Sequence, residues 1–256
     1  MDKKKFSIII PNYNCGEYIE DCLLSILKQN YNNYEIIVID DGSTDNSLEI
    51  LDKYKKNNSI KLYKTNRLKQ GGARNKGLKM ATGEYVLFLD SDDYLYDNVL
   101  SELLKIIKTQ DVIFLGFYNE KKNKEIRSAM RYKKDIIKND IWLSCWSKCW
   151  RKDFIDWEFP ENMFLEDVYF TLKGYCKMNV FDFYPKPFFF YRFRENSTQN
   201  KSREKYRERA KEHVYKLINE FPEYELELKE VLRRWGNRLS QLKRKRTRKK
   251  SQIKIS

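Results

Sequence analysis

A chain of 256 residues, 41% hydrophobic and 34% charged, can bury one sizeable core, and none of its apolar stretches approaches the ~18 residues of a bilayer span. Its net charge of +14 is a property of one end: ten Lys or Arg and no acid fall between Arg233 and Lys250, and the remainder is far closer to neutral. Five cysteines, an odd number, and an N-terminus reading Met-Asp-Lys-Lys-Lys before a short strand argue against a disulfide framework and a signal peptide, so a reduced, cytoplasmic setting is expected.

Taken in order, Phe6 to Ile10 reads as a buried strand, broken by Pro11 and followed by the turn-prone Asn12-Tyr13-Asn14. Glu17 to Lys28 carries apolar residues at helical spacing. Tyr34 to Ile39 is a second strand, ending at Asp40-Asp41-Gly42-Ser43-Thr44-Asp45, whose Ser43 or Thr44 can cap the next helix. Ile60 to Tyr63 is a third strand. Gly71 and Gly72 then open a helical stretch from Ala73 to Ala81. Free N–H groups at such a start favour an anion, and Arg74 can add a charge-assisted contact to phosphate; the plainer reading is a loop with a solvated arginine.

Tyr85 to Leu89 is a continuous apolar run, short enough for a strand buried on both faces, and it stops at Asp90, Asp92 and Asp93. No basic residue lies within several positions to relieve these acids. A hard divalent cation, Mg²⁺ or Mn²⁺, would do so, and a solvated acidic turn is the alternative. Strand and helix alternate four times within about 90 residues, which predicts a parallel, doubly wound sheet. Two strand ends carrying acid pairs, Asp40-Asp41 and Asp90 with Asp92, would then face one crevice. Neither Gly-x-Gly-x-x-Gly nor a P-loop motif is present, which disfavours a dinucleotide oxidoreductase or a P-loop NTPase.

Asp97 to Lys108 predicts a helix and Asp111 to Gly116 a strand, followed by a polar excursion over 119–138 carrying a strand or hairpin. Trp142, Trp146 and Trp150 stand at i, i+4 and i+8, which predicts one helical face, either a core stripe or a stacking platform for a sugar ring. Glu166-Asp167 opens another helix, where acids also suit the dipole. Val180 to Phe183 and Phe188 to Arg192 read as two short strands separated by Pro185 and Pro187. Arg192, Arg194 and Ser197 form a polar cluster, and two amphipathic helices, Tyr206 to Phe221 and Tyr224 to Leu242, lead into the tail. His213 is the only histidine and lies far from every acidic cluster, so a Ser-His or Cys-His dyad and a His-ligated zinc are not expected. Any general base should be a carboxylate.

With these residues assembled, the chain resembles the family 2 glycosyltransferases of the GT-A fold. The resemblance rests on Ile9-Ile10-Pro11-Asn12-Tyr13-Asn14, Asp40 to Asp45, Gly72 to Gly77, Gly83-Glu84-Tyr85 through Asp93, and Glu166-Asp167, in order and at the right spacing. It implies an α/β, Rossmann-like catalytic domain over 1–200 with a mostly parallel central sheet flanked by helices. Residues 1–110 would be the nucleotide-binding half and 111–200 the acceptor-side half, with C-terminal helices over 201–242 and a basic tail over 243–256. It further implies a UDP-sugar or similar donor and inverting transfer. Pro11 and Asp41 would sit against the base with Asn12, Tyr13 and Asp40 beside them, and Arg74 and Ser91 near the nucleotide. Asp92 would ligate the cation with Asp90 nearer the ribose, and Asp167 would be the catalytic base. Trp146, Lys148, Glu166 and Arg192 are assigned by position to the acceptor side. No Gln-x-x-Arg-Trp motif follows Asp167, which points to single addition onto a glycan or lipid-linked acceptor, with the tail able to hold the enzyme at an anionic membrane surface. The rival readings are a nucleotidyltransferase acting on sugar phosphates and, ranked lower, a nucleic-acid-binding tail. The tail lacks interleaved aromatics, so no nucleic acid partner is expected.

Overall fold

The computed structural model describes residues 4–127, 133–137, 143–161, 163, 165–194 and 203–235. Phe6–Asn12 (β1), Tyr34–Asp40 (β2), Ile60–Lys64 (β3) and Tyr85–Phe88 (β4) form a parallel half-sheet in the order β3-β2-β1-β4. Ile19–Leu27 (α1), Ser47–Lys53 (α2) and Lys69–Met80 (α3) are the intervening helices. Ile8, Ile9 and Ile10 are wholly buried, as strands covered on both faces must be, and each such side chain contributes roughly 1.5–3 kcal/mol. Pro11 is tolerated because β4 pairs with β1 only as far as Ile9, leaving no ladder hydrogen bond for proline to lose on that side.

The strand order reverses between β1 and β4, since β2 and β3 lie on one side of β1 and β4 on the other. A crevice therefore opens where the carboxyl ends of β1 and β4 diverge. Both acid-ended strands, β2 and β4, point there. On α3, a Cβ at Gly77 would stand 2.3 Å from Ile9 Cγ2, so glycine lets the helix lie close against β1.

The second half is mixed rather than parallel. Tyr94–Leu95 (β5) and Val99–Ile106 (α4) lead into Val112–Asn119 (β6), and Lys124–Ile126 (β7) folds back on β6 as the expected hairpin. Lys133–Ile137 (α5) precedes Lys148–Arg151 (β8), which runs antiparallel between β4 and β6. The predicted tryptophan helix is thus replaced by bends and a strand: Trp150 sits in register with Val86 and Val112, buried between two apolar neighbours that select extended structure. Trp142 lies outside the described residues.

Glu166–Lys177 (α6) is followed by Phe181–Tyr191 (β9), one strand where two were expected. The pairing of β9 with β6 steps from Leu115↔Tyr184 to Gly116↔Pro187, so the bulge carries Pro185 and Lys186 past the ladder. It passes over Gly116, where a Cβ would meet the Lys186 carbonyl at 2.7 Å. Arg203–Glu220 (α7) and a helix over 225–235 (α8) close the described chain, with Lys173 of α6 paired to Glu220 at 2.8 Å. Ser197 and the tail over 243–256 lie outside the described residues. No helix among the described residues is long and apolar enough to cross a membrane.

Candidate functional site

The crevice is a cleft of about 370 Å³. The carboxyl end of β1 supplies Pro11, Asn12 and Tyr13, that of β2 supplies Asp41, and the turn after β4 supplies Asp90, Ser91 and Asp92. Lys69, Gln70 and Ala73 come from α3, and Glu166 and Arg194 from the second half. Asp40, Arg74 and Asp167 lie behind or beside this lining.

The Asp40-Asp41 pair is taken up by the fold. Asp40 is wholly buried and accepts from Asn12 Nδ2 at 2.8 Å and from Ser43 N and Oγ at 3.1 and 2.6 Å. Asp41 accepts from Thr65 Oγ1 at 2.8 Å and from the backbone N–H groups of Leu68 and Lys69 at 2.7 and 2.6 Å. Arg67 and Lys69 each have φ 61° around a right-handed Leu68, which turns successive N–H groups toward one point. The expected anion site at the start of α3 is therefore filled by the chain's own carboxylate. The paired glycines lie inside the first turn rather than before it. At Gly71 a Cβ would stand 2.6 Å from the Pro160 carbonyl, so glycine there admits a close approach of backbone.

Arg74 also differs from its sequence-level reading. It is 2% exposed, with Nη1 on Glu166 Oε1 at 2.6 Å and Nη2 on Asp90 Oδ1 at 2.8 Å, so both terminal nitrogens are engaged before any phosphate arrives. Burial opposes its charge, but the carboxylates of Asp90, Glu166 and Asp167 outweigh that and hold it firmly protonated. Asn75, next along α3, exchanges hydrogen bonds with the backbone of Phe159 at 2.9 and 2.8 Å. Together the two residues pin the Glu166-Asp167 segment against the turn after β4.

In that turn, carboxylate oxygens of Asp90, Asp92 and Asp93 lie within 4.8 Å of one another. Basic residues absent from the local sequence arrive from elsewhere. Arg194 Nε is 2.6 Å from Asp92 Oδ2, the Arg192 backbone N–H donates to Asp93 Oδ1 at 2.8 Å, and Arg192 Nε donates to the Asp92 carbonyl at 3.0 Å. Burial and the neighbouring Asp90 charge still raise Asp92, with Arg194 opposing. Asp93 is raised further by burial, Asp92 and Asp90. An all-oxygen donor set in which burial and like charge raise Asp92 and Asp93 fits a hard divalent cation, with Asp90 and Asp92 facing the cleft.

Asp167 stands in the first turn of α6, entered through Leu165 at φ 66°, a left-handed conformation costly for leucine. Burial and the adjacent Glu166 push its carboxyl up to about 7, with Arg74 pulling the other way. A carboxylate poised near neutrality beside an acid cluster is suited to take a proton at physiological pH.

Residues 7–194 match the model described as "Glycosyl transferase family 2". The chain belongs to that family. It is 33% identical over 189 residues to the poly(ribitol-phosphate) beta-N-acetylglucosaminyltransferase TarS of Staphylococcus aureus (strain MW2), covering 68% of this chain and 33% of TarS. It is 41% identical over 117 residues to the glycosyltransferase GlyG of Streptococcus pneumoniae serotype 4, covering 44% of this chain and 39% of GlyG. The crystal structure of S. aureus TarS 1-349 in complex with UDP-GlcNAc superposes with a TM-score of 0.78 at 30% identity, over 89% of this chain and 71% of that one. The chain thus spans about a third to two fifths of the curated relatives' lengths.

In this family 2 glycosyltransferase the residues expected on the acceptor side are not gathered on one open surface. Glu166 lines the cleft. Arg192 braces the acidic turn and reaches Asp21 at 3.2 Å. Trp146 is 6% exposed beneath Tyr191, and Lys148 is wholly buried with its ammonium on the Ser144 carbonyl, where burial lowers it to about 7 against Cys145 and Asp167. Arg194, within the loop from Arg192 to Ser197 that was expected on the acceptor side, lines the cleft instead, as does Cys15, which had no assigned role. The alternation of Arg192 and Arg194 at the end of β9 was the one available signal, because residues two apart on an extended chain share a side.

Proposed function

We propose that the protein transfers a single sugar, with inversion, from a UDP-linked donor to a hydroxyl of a glycan or lipid-linked acceptor of a cell-surface polymer. The observation that carries this reading is the placement of Asp167, held near neutrality, next to a cleft rimmed by Asp41, Asp90 and Asp92. A displacement at the anomeric carbon needs a leaving diphosphate on one side and a proton acceptor for the incoming hydroxyl on the other. The acidic turn and the start of α6 supply these two sides.

In the proposed reaction the acceptor oxygen bonds to the anomeric carbon as the bond to the diphosphate breaks, and Asp167 takes the hydroxyl proton. A Mn²⁺ or Mg²⁺ ion held by Asp92 and Asp90 would neutralise charge on the diphosphate. Arg74 keeps Glu166 and Asp90 in place, so the base and the acidic turn move as one unit. Pro11 and Tyr13 supply apolar surface for a base, and Asp41 a fixed acceptor beside it. The relatives' names and the UDP-GlcNAc complex of TarS favour UDP-GlcNAc or UDP-glucose among donors and a surface polymer as acceptor. The basic tail fits attachment to an anionic leaflet. Truncation after Leu242 should weaken binding to anionic vesicles, and equal binding would remove that role.

The test is release of UDP from UDP-GlcNAc and UDP-glucose by the purified protein, with and without Mn²⁺. Cation-dependent UDP release supports the proposal. Pyrophosphate exchange with UTP and no UDP release would support a nucleotidyltransferase instead.

A further inference from the structure

Each acid of the turn after β4 has a partner of its own. Asp90 holds Arg74 Nη2 at 2.8 Å, Asp93 accepts the Arg192 backbone N–H at 2.8 Å, and Asp92 Oδ2 lies 2.6 Å from Arg194 Nε. The first two partners belong to the framework. Arg74 is shared with Glu166, and Arg192 meets the turn through its own backbone N–H and through the Asp92 carbonyl. Arg194 differs. It lines the cleft together with Asp92 and Cys15, donates from Nη1 to Cys15 Sγ at 3.4 Å, and stands 5.5 Å over the Tyr18 ring. Its guanidinium therefore fastens the chain just after β9 to both the β1–α1 link and the acidic turn.

The carboxylate that Arg194 occupies is one of the two that face the cleft. The pair sits at the rim, with the arginine side chain 27% and the aspartate 19% exposed, so solvent screens it and its hold is modest. A divalent cation brings twice the charge to the same oxygens and repels the guanidinium. We propose that Arg194 is the resident counter-ion of Asp92 and yields that carboxylate when a cation is taken up, so that loading unfastens the end of β9 from the turn. This rests on the reading of Asp90 and Asp92 as cation ligands. The ion pair then sets a threshold, because cation affinity is lower than the acids alone would give. Arg192, which takes the Asp92 carbonyl and not its carboxylate, goes on bracing the turn.

The experiment is calorimetric titration of the full chain with Mn²⁺ in the absence of nucleotide, for the wild type, Arg194→Gln, Arg194→Met and Arg192→Gln. Freed of its competitor, the site should bind Mn²⁺ about five-fold more tightly in both Arg194 variants, a gain that loss of a merely structural contact would not produce. Arg192→Gln should show no gain. Unchanged or weaker binding in the Arg194 variants overturns the proposal. So does an equal gain in Arg192→Gln, which would make the effect one of net charge alone. If the wild type and both Arg194 variants bind no Mn²⁺, the cation reading itself falls and the proposal with it, a result distinct from equal, measurable affinities. Arg194→Met keeps an unbranched side chain beside Tyr18 and carries the test should Arg194→Gln fail to fold.

Discussion

Two buried strands end in neighbouring acids at the same edge of the sheet, and the fold treats them oppositely. After β2, Asp40 and Asp41 are surrounded by hydroxyl, amide and backbone N–H donors and serve to lock the loop and the start of α3. After β4, Asp90, Asp92 and Asp93 crowd against one another, with arginines from distant segments as partial relief. The same residue type is structural where neutral donors converge on it. It is left for chemistry where charge is matched only in part, since unmet charge is what a cation or a proton can exploit.

That contrast breaks most visibly at the base. Asp167→Asn should cut turnover by about 10²–10⁴ while leaving UDP affinity unchanged, checked by UDP release and calorimetry side by side. A wild-type rate would place Asp167 among the structural acids. Arg74→Ala strips the buried guanidinium from Asp90 and Glu166 and should cost about 3–5 kcal/mol in urea unfolding; a loss too small to measure would mean the two halves are held by other contacts. Asp41→Ala removes an acceptor from two backbone N–H groups and should cost about 1–3 kcal/mol, with α3 losing amide protection first. If amide exchange at Leu68 and Lys69 stays slow in that variant, the local cap is not what secures the helix.

The smallest expected effect concerns Glu35, at the far edge of the same sheet. Burial pushes its carboxyl up, but hydrogen bonds from Lys61, Ser7 and Thr82 prevail and hold it at about 2. The folded value lies below the ordinary one, so the contribution is present above about pH 4.5 and is lost as pH falls toward 2. With Lys61 40% exposed and screened, its size is about 1–2 kcal/mol. Glu35→Gln should therefore destabilise the protein at pH 6 and make little difference near pH 2.5. A constant deficit at both would count against an ionised Glu35.

Strands β1, β2 and β4 were legible because continuous apolar runs bounded by Pro11, Asp40 and Asp90 have no other use than a sheet covered on both sides. The second half was less so. Strand β9 reads as two pieces until the bulge over Gly116 shows how two prolines fit one strand, and Trp146 and Trp150 mimic helical spacing although the segment is bent and then extended. The local sequence around Asp90 holds no basic partner because Arg74, Arg192 and Arg194 reach it across the fold. Likewise the donors that fix Asp40 and Asp41 in place, and the carbonyl that selects glycine at Gly71, are brought to them only by the folded chain.

The central claim, that Asp167 accepts the proton beside a cleft built to hold a diphosphate, is tested most directly by the pH dependence of UDP release. The active form is the carboxylate, so kcat/KM should climb as pH rises through about 7 and then level off, and the climb should vanish in Asp167→Asn. A flat profile from pH 5.5 to 8.5 in the wild type (a window of ~3 units around the expected midpoint), or an unchanged climb in the variant, would contradict it.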